Sequence, residues 1–214
     1  MKISAIVNDV VQYNQQLFYT LHTILEKRAK AKEISYLIDY ILSIKIILPI
    51  YILTLSIFLI FLYKNRINIL KYQKHFYKVL DIGFLLGFFI VFFYPLKFFI
   101  YSPRPYVSFE AKQMPFKKGI IFDAFSSFPS GHVGLTLLFI IYLFRKKCLY
   151  IFFSTIIFFY VASSRIVIAA HYPLDILGSI VISFLCYFCY NIFLMKYSLK
   201  TVIYNKIIHI IKKL

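Results

Sequence analysis

Ser126-Ser127-Phe128-Pro129-Ser130-Gly131-His132, followed by a charge-free run to Phe144, is the stretch from which the chain is best read. A Pro-Ser-Gly turn opening into an apolar helix is a way to hold an anion. Ser130 reads as the N-cap, so the N–H groups of Gly131 and the next residues lack intrahelical partners. Those donors and the positive end of the helix dipole favour a bound phosphate. Gly131 lets such an anion approach the backbone, and His132 adds a titratable group beside it.

The surroundings of this stretch are those of a membrane protein. Hydrophobic residues make up 61% of the 214 and charged residues only 15%, and several apolar runs exceed what a soluble core helix needs. The formal net charge of +17 would suit nucleic acid if it formed one surface. Instead the cations sit in clusters between apolar runs, as in loops that meet anionic headgroups, which excludes nucleic acid as the partner. Cys186 and Cys189 have C-x-x-C spacing but fall inside an apolar run without a second ligand pair, and are read as packing residues.

Five spans are expected, at about 46–63, 79–96, 132–144, 149–168 and 173–195, with a sixth if the N-terminal segment crosses. Residues 1–33 alternate apolar and polar groups too closely to span and read as an amphipathic helix on the membrane surface. Asp39 and Lys45 fall at the entrance of the first span, and Asp81 at the inner edge of the second is read as interfacial. The fold class is therefore an all-α membrane helical bundle plus an N-terminal surface helix, forming one domain over 1–214. Residues 64–78, 145–147 and 196–214 carry thirteen Lys and Arg without one Asp or Glu. The positive-inside rule places them in the cytoplasm, the last as a basic tail. The cationic segment Lys27 to Lys32 is then a misfit, since it falls outside.

The same topology puts three chemically dense segments on the outer side. Lys97 and Arg104 close the second span, where Pro103 and Pro105 discourage helix beyond Tyr101. The Pro129 to His132 turn is the second segment. The third holds Ser164, Arg165, His171 and Asp175, with Pro173 at the first helical position and Asp175 at the third. From there a carboxylate can point back toward His171, fixing its tautomer, or serve as an ordinary cap. The third span is only about 20 Å long, short of a hydrocarbon core of about 30 Å. Its outer end should be recessed, at a depth that suits a lipid substrate. No outward cluster of carboxylates is present to hold Mg²⁺ or Zn²⁺, so no metal and no cofactor are expected.

The pattern K-x6-R-P, P-S-G-H, S-R-x5-H-x3-D resembles the three-part signature of the type 2 phosphatidic acid phosphatase superfamily. The matching residues are Lys97, Arg104, Pro105, Pro129, Ser130, Gly131, His132, Ser164, Arg165, His171 and Asp175, all within 97–175. The superfamily includes bacterial lipid phosphate phosphatases, undecaprenyl-diphosphate phosphatases, lipid A phosphatases and vanadium haloperoxidases. The resemblance implies that His171 attacks phosphorus to give a phosphohistidine, that Asp175 orients it, and that His132 protonates the leaving group. It also implies that Lys97, Arg104, Ser130, Gly131 and Arg165 bind the phosphoryl oxygens. The expected protein is an integral enzyme of the cytoplasmic membrane, its site facing outward toward a lipid phosphate. Two alternatives are a vanadate-dependent haloperoxidase and a headgroup-binding or transport protein without catalysis. The loop bearing Glu110, Lys112, Lys117, Lys118 and Asp123 is expected to help choose the headgroup.

Overall fold

A computed structural model describes residues 2–27, 31–65, 71–108, 125–143, 148–197 and 199–213. The chain forms an all-α membrane helical bundle, as stretches without water must satisfy their backbone groups internally. In order the helices are α1 (Lys2–Glu26), α2 (Ala31–Ile41), α3 (Ile44–Lys64), α4 (Gln73–Phe99), α5 (Pro105–Ser108), α6 (Gly131–Leu143), α7 (Cys148–Val167), α8 (Pro173–Tyr197) and α9 (Leu199–Lys213). The five stretches expected to span are helical over their described residues, save that the fourth ends at Val167. Of these, α3, α4 and α8 are long and apolar enough to cross a bilayer, whereas α6 and the Phe152–Val167 part of α7 are shorter.

The short helix α6 lies at the centre. Val133, Leu135 and Leu138 are buried on it, and it packs against α4, α7 and α8. A mid-bundle cluster of Leu85, Leu86, Phe89, Phe93, Leu138, Cys186 and Tyr190 joins α4, α6 and α8. Cys186 is therefore a packing residue, as its apolar setting suggested.

The two ends of the bundle differ. At one, Leu62, Phe76, Tyr204 and Ile211 cluster where α3 ends, α4 begins and the basic tail α9 folds back. Asp81 holds this end together: it accepts from Tyr190 Oη (3.0 Å) and Tyr142 Oη (3.4 Å) and pairs with Lys200 Nζ (2.6 Å). At the other end lie the C-termini of α4 and α7 and the N-termini of α6 and α8.

The N-terminal segment is two helices, and α1 does more than lie on a surface. Phe18 on α1 is buried against Val133, Val161, Ala162, Ile166, Tyr172 and Ile176, with its ring edge-on to Tyr172 at 5.5 Å. Asn14 Oδ1 accepts the otherwise free N–H of Leu174 at the start of α8 (3.2 Å). Its outward residues Ile6, Val7, Val10 and Val11 stay exposed, consistent with a face turned to lipid. Between α2 and α3 the chain breaks at Ser43, whose extended backbone starts α3 at Ile44. Asp39, expected at the entrance of the first span, therefore sits on the separate helix α2. That difference matters at the site. Arg145, Lys146 and Lys147 lie outside the described residues, as do Glu110, Lys112, Lys117, Lys118 and Asp123.

Candidate active site

The three dense segments meet, and the backbone itself joins them. Helix α4 stops at Phe99, and the chain after it, stiffened by Pro103, runs extended beside 125–127. There Ser102 N–H donates to Phe125 O (3.1 Å) and Ser127 N–H donates to Ser102 O (3.0 Å). Lys97, in the last turn of α4, donates from Nζ to Ser126 O (2.9 Å). Pro105 opens α5, and Tyr106 N–H donates to Ala169 O (3.2 Å), joining the first segment to the third. Ala169 has φ +51°, a conformation that favours glycine and costs an L-residue roughly 1–2 kcal/mol. This strained turn ends α7 and delivers His171 to the site.

The second and third segments are joined by side chains. Ser127 Oγ donates to Asp175 Oδ2 (2.5 Å), and Asp175 Oδ2 also accepts the N–H of Tyr172 (2.8 Å). Ser130 N–H donates to Ser179 Oγ (2.7 Å), which in turn donates to Asp175 O (2.6 Å). One turn along α8, Ser183 Oγ donates to Gly134 O (3.1 Å). The small residues Gly178, Ser179 and Ser183 thus form the face of α8 on which α6 begins. At Gly178 a methyl group would meet the Phe128 ring at 2.2 Å, so glycine is required for that ring to seat the loop before Pro129.

Ser130 starts α6 through its backbone and not through its side chain. Its carbonyl accepts the first bond of α6, from Gly134 N–H (3.0 Å), as an N-cap residue's must. Its buried hydroxyl, however, makes no capping bond within the protein. The Oγ is thus uncommitted to α6. Gly131 is not sterically obliged to be glycine, since a Cβ there would meet Lys97 Cε only at 3.7 Å.

His171 is 2% exposed. Its Nδ1 lies 3.8 Å from Asp175 Oδ2, beyond hydrogen-bond length, while Ser127 and Tyr172 hold the carboxylate directly. With Pro173 at N1 and Asp175 at N3, reaching back to the N–H of Tyr172, the carboxylate acts as a helix cap as well as facing the imidazole. His171 lies in the link between α7 and α8. Burial lowers its pKa well below the ordinary histidine value, reinforced by the charges of Arg104, Lys97 and Arg165 and then by His132. The imidazole is therefore neutral at neutral pH and has a lone pair to use.

Arg165 is fully buried, and its partners are the largest departure from expectation. Nε donates to Ser164 Oγ (3.1 Å), Nη2 to Ser35 O (3.3 Å) and Nη1 to Asp39 Oδ1 (2.5 Å). Ser35 and Asp39 both belong to α2. Asp39 also meets His132, whose Nε2 donates to Asp39 O (3.0 Å) and lies 3.5 Å from Asp39 Oδ1. A carbonyl can only accept, so the imidazole carries a proton on Nε2. Among the described residues, no group of three or more His, Cys, Asp or Glu is placed to share a metal ion.

Lys97, Arg104, Ser130, Gly131, His132, Arg165, His171 and Asp175 are thus brought to one end of the bundle. Sequence reasoning missed Ser127, Ser179 and Asp39. Ser127 stood inside the opening stretch, and the small-residue spacing of Gly178, Ser179 and Ser183 was a usable signal. Asp39 carried none, being distant in sequence from every residue it contacts here.

The family model described as the PAP2 superfamily matches residues 78–198. The crystal structure of Aquifex aeolicus LpxE is similar in fold, with a TM-score of 0.50 and 22% identity, covering 82% of this chain and 92% of that one. No curated protein matches the sequence.

Proposed function

The chain belongs to the PAP2 superfamily, and on that premise we propose that it is a membrane phosphatase removing a terminal phosphate from a lipid through a phosphohistidine. The observation that carries this reading is a buried, neutral imidazole, His171, set among three cations and backed by a carboxylate.

With Nδ1 turned toward Asp175, Nε2 of His171 is the atom that attacks phosphorus. The N–P bond forms as the bond from phosphorus to the leaving oxygen breaks. His132, which takes up a proton as the dianionic phosphate binds beside it, gives that proton to the leaving oxygen, which keeps the bonding pair, and is left neutral. Asp175 stabilises the charge that develops on His171. Lys97, Arg104 and Arg165 offset the charge on the phosphoryl oxygens, the part divalent ions play in many phosphoryl transfers. Water then attacks the phosphohistidine, giving its proton to His132 as the N–P bond breaks, and inorganic phosphate leaves.

The phosphoryl donor is read as a lipid because the site lies at one end of an apolar bundle, beside the short helix α6. The described basic segments gather at the opposite end, which supports a site facing away from the cytoplasm. Purified protein in detergent should release inorganic phosphate from at least one of phosphatidate, phosphatidylglycerophosphate, undecaprenyl diphosphate and lipid A phosphate. The activity should withstand EDTA, and His171→Ala should lower it by at least about 10⁴-fold in a folded protein. Wild-type rates in that variant would end the proposal.

A further inference from the structure

We propose that Asp39 is a specificity-determining residue: its carboxylate stands in the phosphate position as an internal anion, and admits only ligands charged enough to displace it. The inference rests on the phosphatase reading above and names what that site refuses.

The geometry points there directly. One atom, Asp39 Oδ1, lies 2.5 Å from Arg165 Nη1 and 3.5 Å from His132 Nε2. Those are a proposed phosphate-binding cation and the proposed proton donor. An oxygen of the transferring group that replaced Asp39 Oδ1 would meet both at once. A carboxylate there has the charge and oxygen geometry of a bound oxyanion.

Location makes displacement feasible. Arg165 is fully buried and fixed on α7 by Ser164, whereas the Asp39 side chain is 27% exposed. Asp39 rides on α2, which packs along α7, is tied to Arg165 through Ser35 O as well as through the carboxylate, and carries Leu37 and Tyr40 outward. An anion that takes the guanidinium releases both ties, so the carboxylate can swing aside and α2 loosens, while Arg165 stays fixed. Three cations surround the neutral His171, so removing Asp39 without replacement would leave like charges crowded in a site of low polarity. An entering anion must supply at least the charge it displaces.

That condition sorts ligands. A phosphomonoester or terminal diphosphate brings about two negative charges near neutral pH. A phosphodiester headgroup brings one, equal to the carboxylate, and must also overcome the tethering of Asp39 to the same chain. Anionic phosphodiester lipids surround any such protein in a membrane. Asp39 keeps them out of a pocket that would otherwise hold them.

Two experiments test this. In the first, hydrolysis of whichever of the four lipids the protein accepts is measured in mixed micelles with and without a tenfold excess of phosphatidylglycerol. The wild type and Asp39→Glu should be insensitive, and Asp39→Asn should slow at least threefold with competitive kinetics. Equal insensitivity of Asp39→Asn, or a fall in its kcat with KM and phosphatidylglycerol sensitivity unchanged, would show instead that Asp39 only positions His132. The second uses the native protein, so it survives misfolding of a variant. Saturating inorganic phosphate should raise amide hydrogen exchange across residues 31–41, and dimethyl phosphate at equal concentration should not. No binding of phosphate, or unchanged or slower exchange on α2 when it binds, overturns the proposal. A response to phosphate in a protein that hydrolyses none of the lipids upholds the displacement and removes only the phosphatase reading.

Discussion

Each end of this bundle carries a carboxylate that holds a distant cation, yet the two are built for different work. Asp81 pairs with Lys200 across 119 residues, and two tyrosine hydroxyls complete the clip. Lys200 remains partly exposed and the pair sits above an ordinary aromatic cluster. Asp39 pairs with Arg165 across 126 residues, but there the cation is fully buried, at an end of the bundle where Ser127, Ser130, His171 and Asp175 are buried too. Buried polar groups are costly to fold around, and a protein that gathers so many in one place has a chemical reason for it. The clip fastens a tail; the other pair governs a site.

That contrast can be broken by substitution, the largest effect being the loss of His171 itself. Next is Ser127→Ala, which leaves the Asp175 carboxylate without one of its two close donors. Hydrogen bonds to charged groups contribute about 1.5–3 kcal/mol. Turnover should fall about ten- to a hundredfold, with KM changed much less, as steady-state kinetics would show. An unchanged kcat would mean that Asp175 needs no support from Ser127.

A smaller effect concerns pH. In the ligand-free protein His171 is held neutral, whereas in the unfolded chain it takes up a proton as pH falls below about 6.5. The unfolded state then binds more protons, so stability is lost as pH falls from about 6.5 toward the lowered folded pKa. The slope for one group is about 1.4 kcal/mol per pH unit. Melting in detergent between pH 7.5 and 5 should therefore drop less for His171→Asn than for the wild type. Equal drops would place the acid sensitivity elsewhere. Smallest of all is Lys200→Ala at the other end. It should cost no more than about 1 kcal/mol of stability and leave phosphate release within about twofold of wild type. A large loss of activity there would mean the two ends are coupled.

The same contrast explains what could be read without coordinates. The segments from Lys97 to Asp175 were legible because their chemistry is local. Pro173 and Asp175 sit at fixed helical positions, Pro103 and Pro105 limit α4, and Pro129 to His132 start α6 whatever packs around them. The five apolar stretches were legible for the same reason, since length and charge alone mark them. The role of α1 and α2 was not. Phe18 and Asp39 look like any apolar and any acidic residue of an amphipathic segment, and only tertiary packing sets one against Tyr172 and the other against Arg165. Lying on the surface and docking over a site need the same helical pattern. Ser130 shows a subtler limit: the sequence marks where a helix starts, but not whether the hydroxyl caps it.

The most direct test of the central claim is to capture the intermediate. Protein mixed with a lipid substrate labelled in its terminal phosphate, then quenched in alkali to preserve phosphohistidine, should carry label on the peptide containing His171. His171→Ala should carry none. Label on another residue, or steady phosphate release with no labelled protein at any time after mixing, would contradict the account.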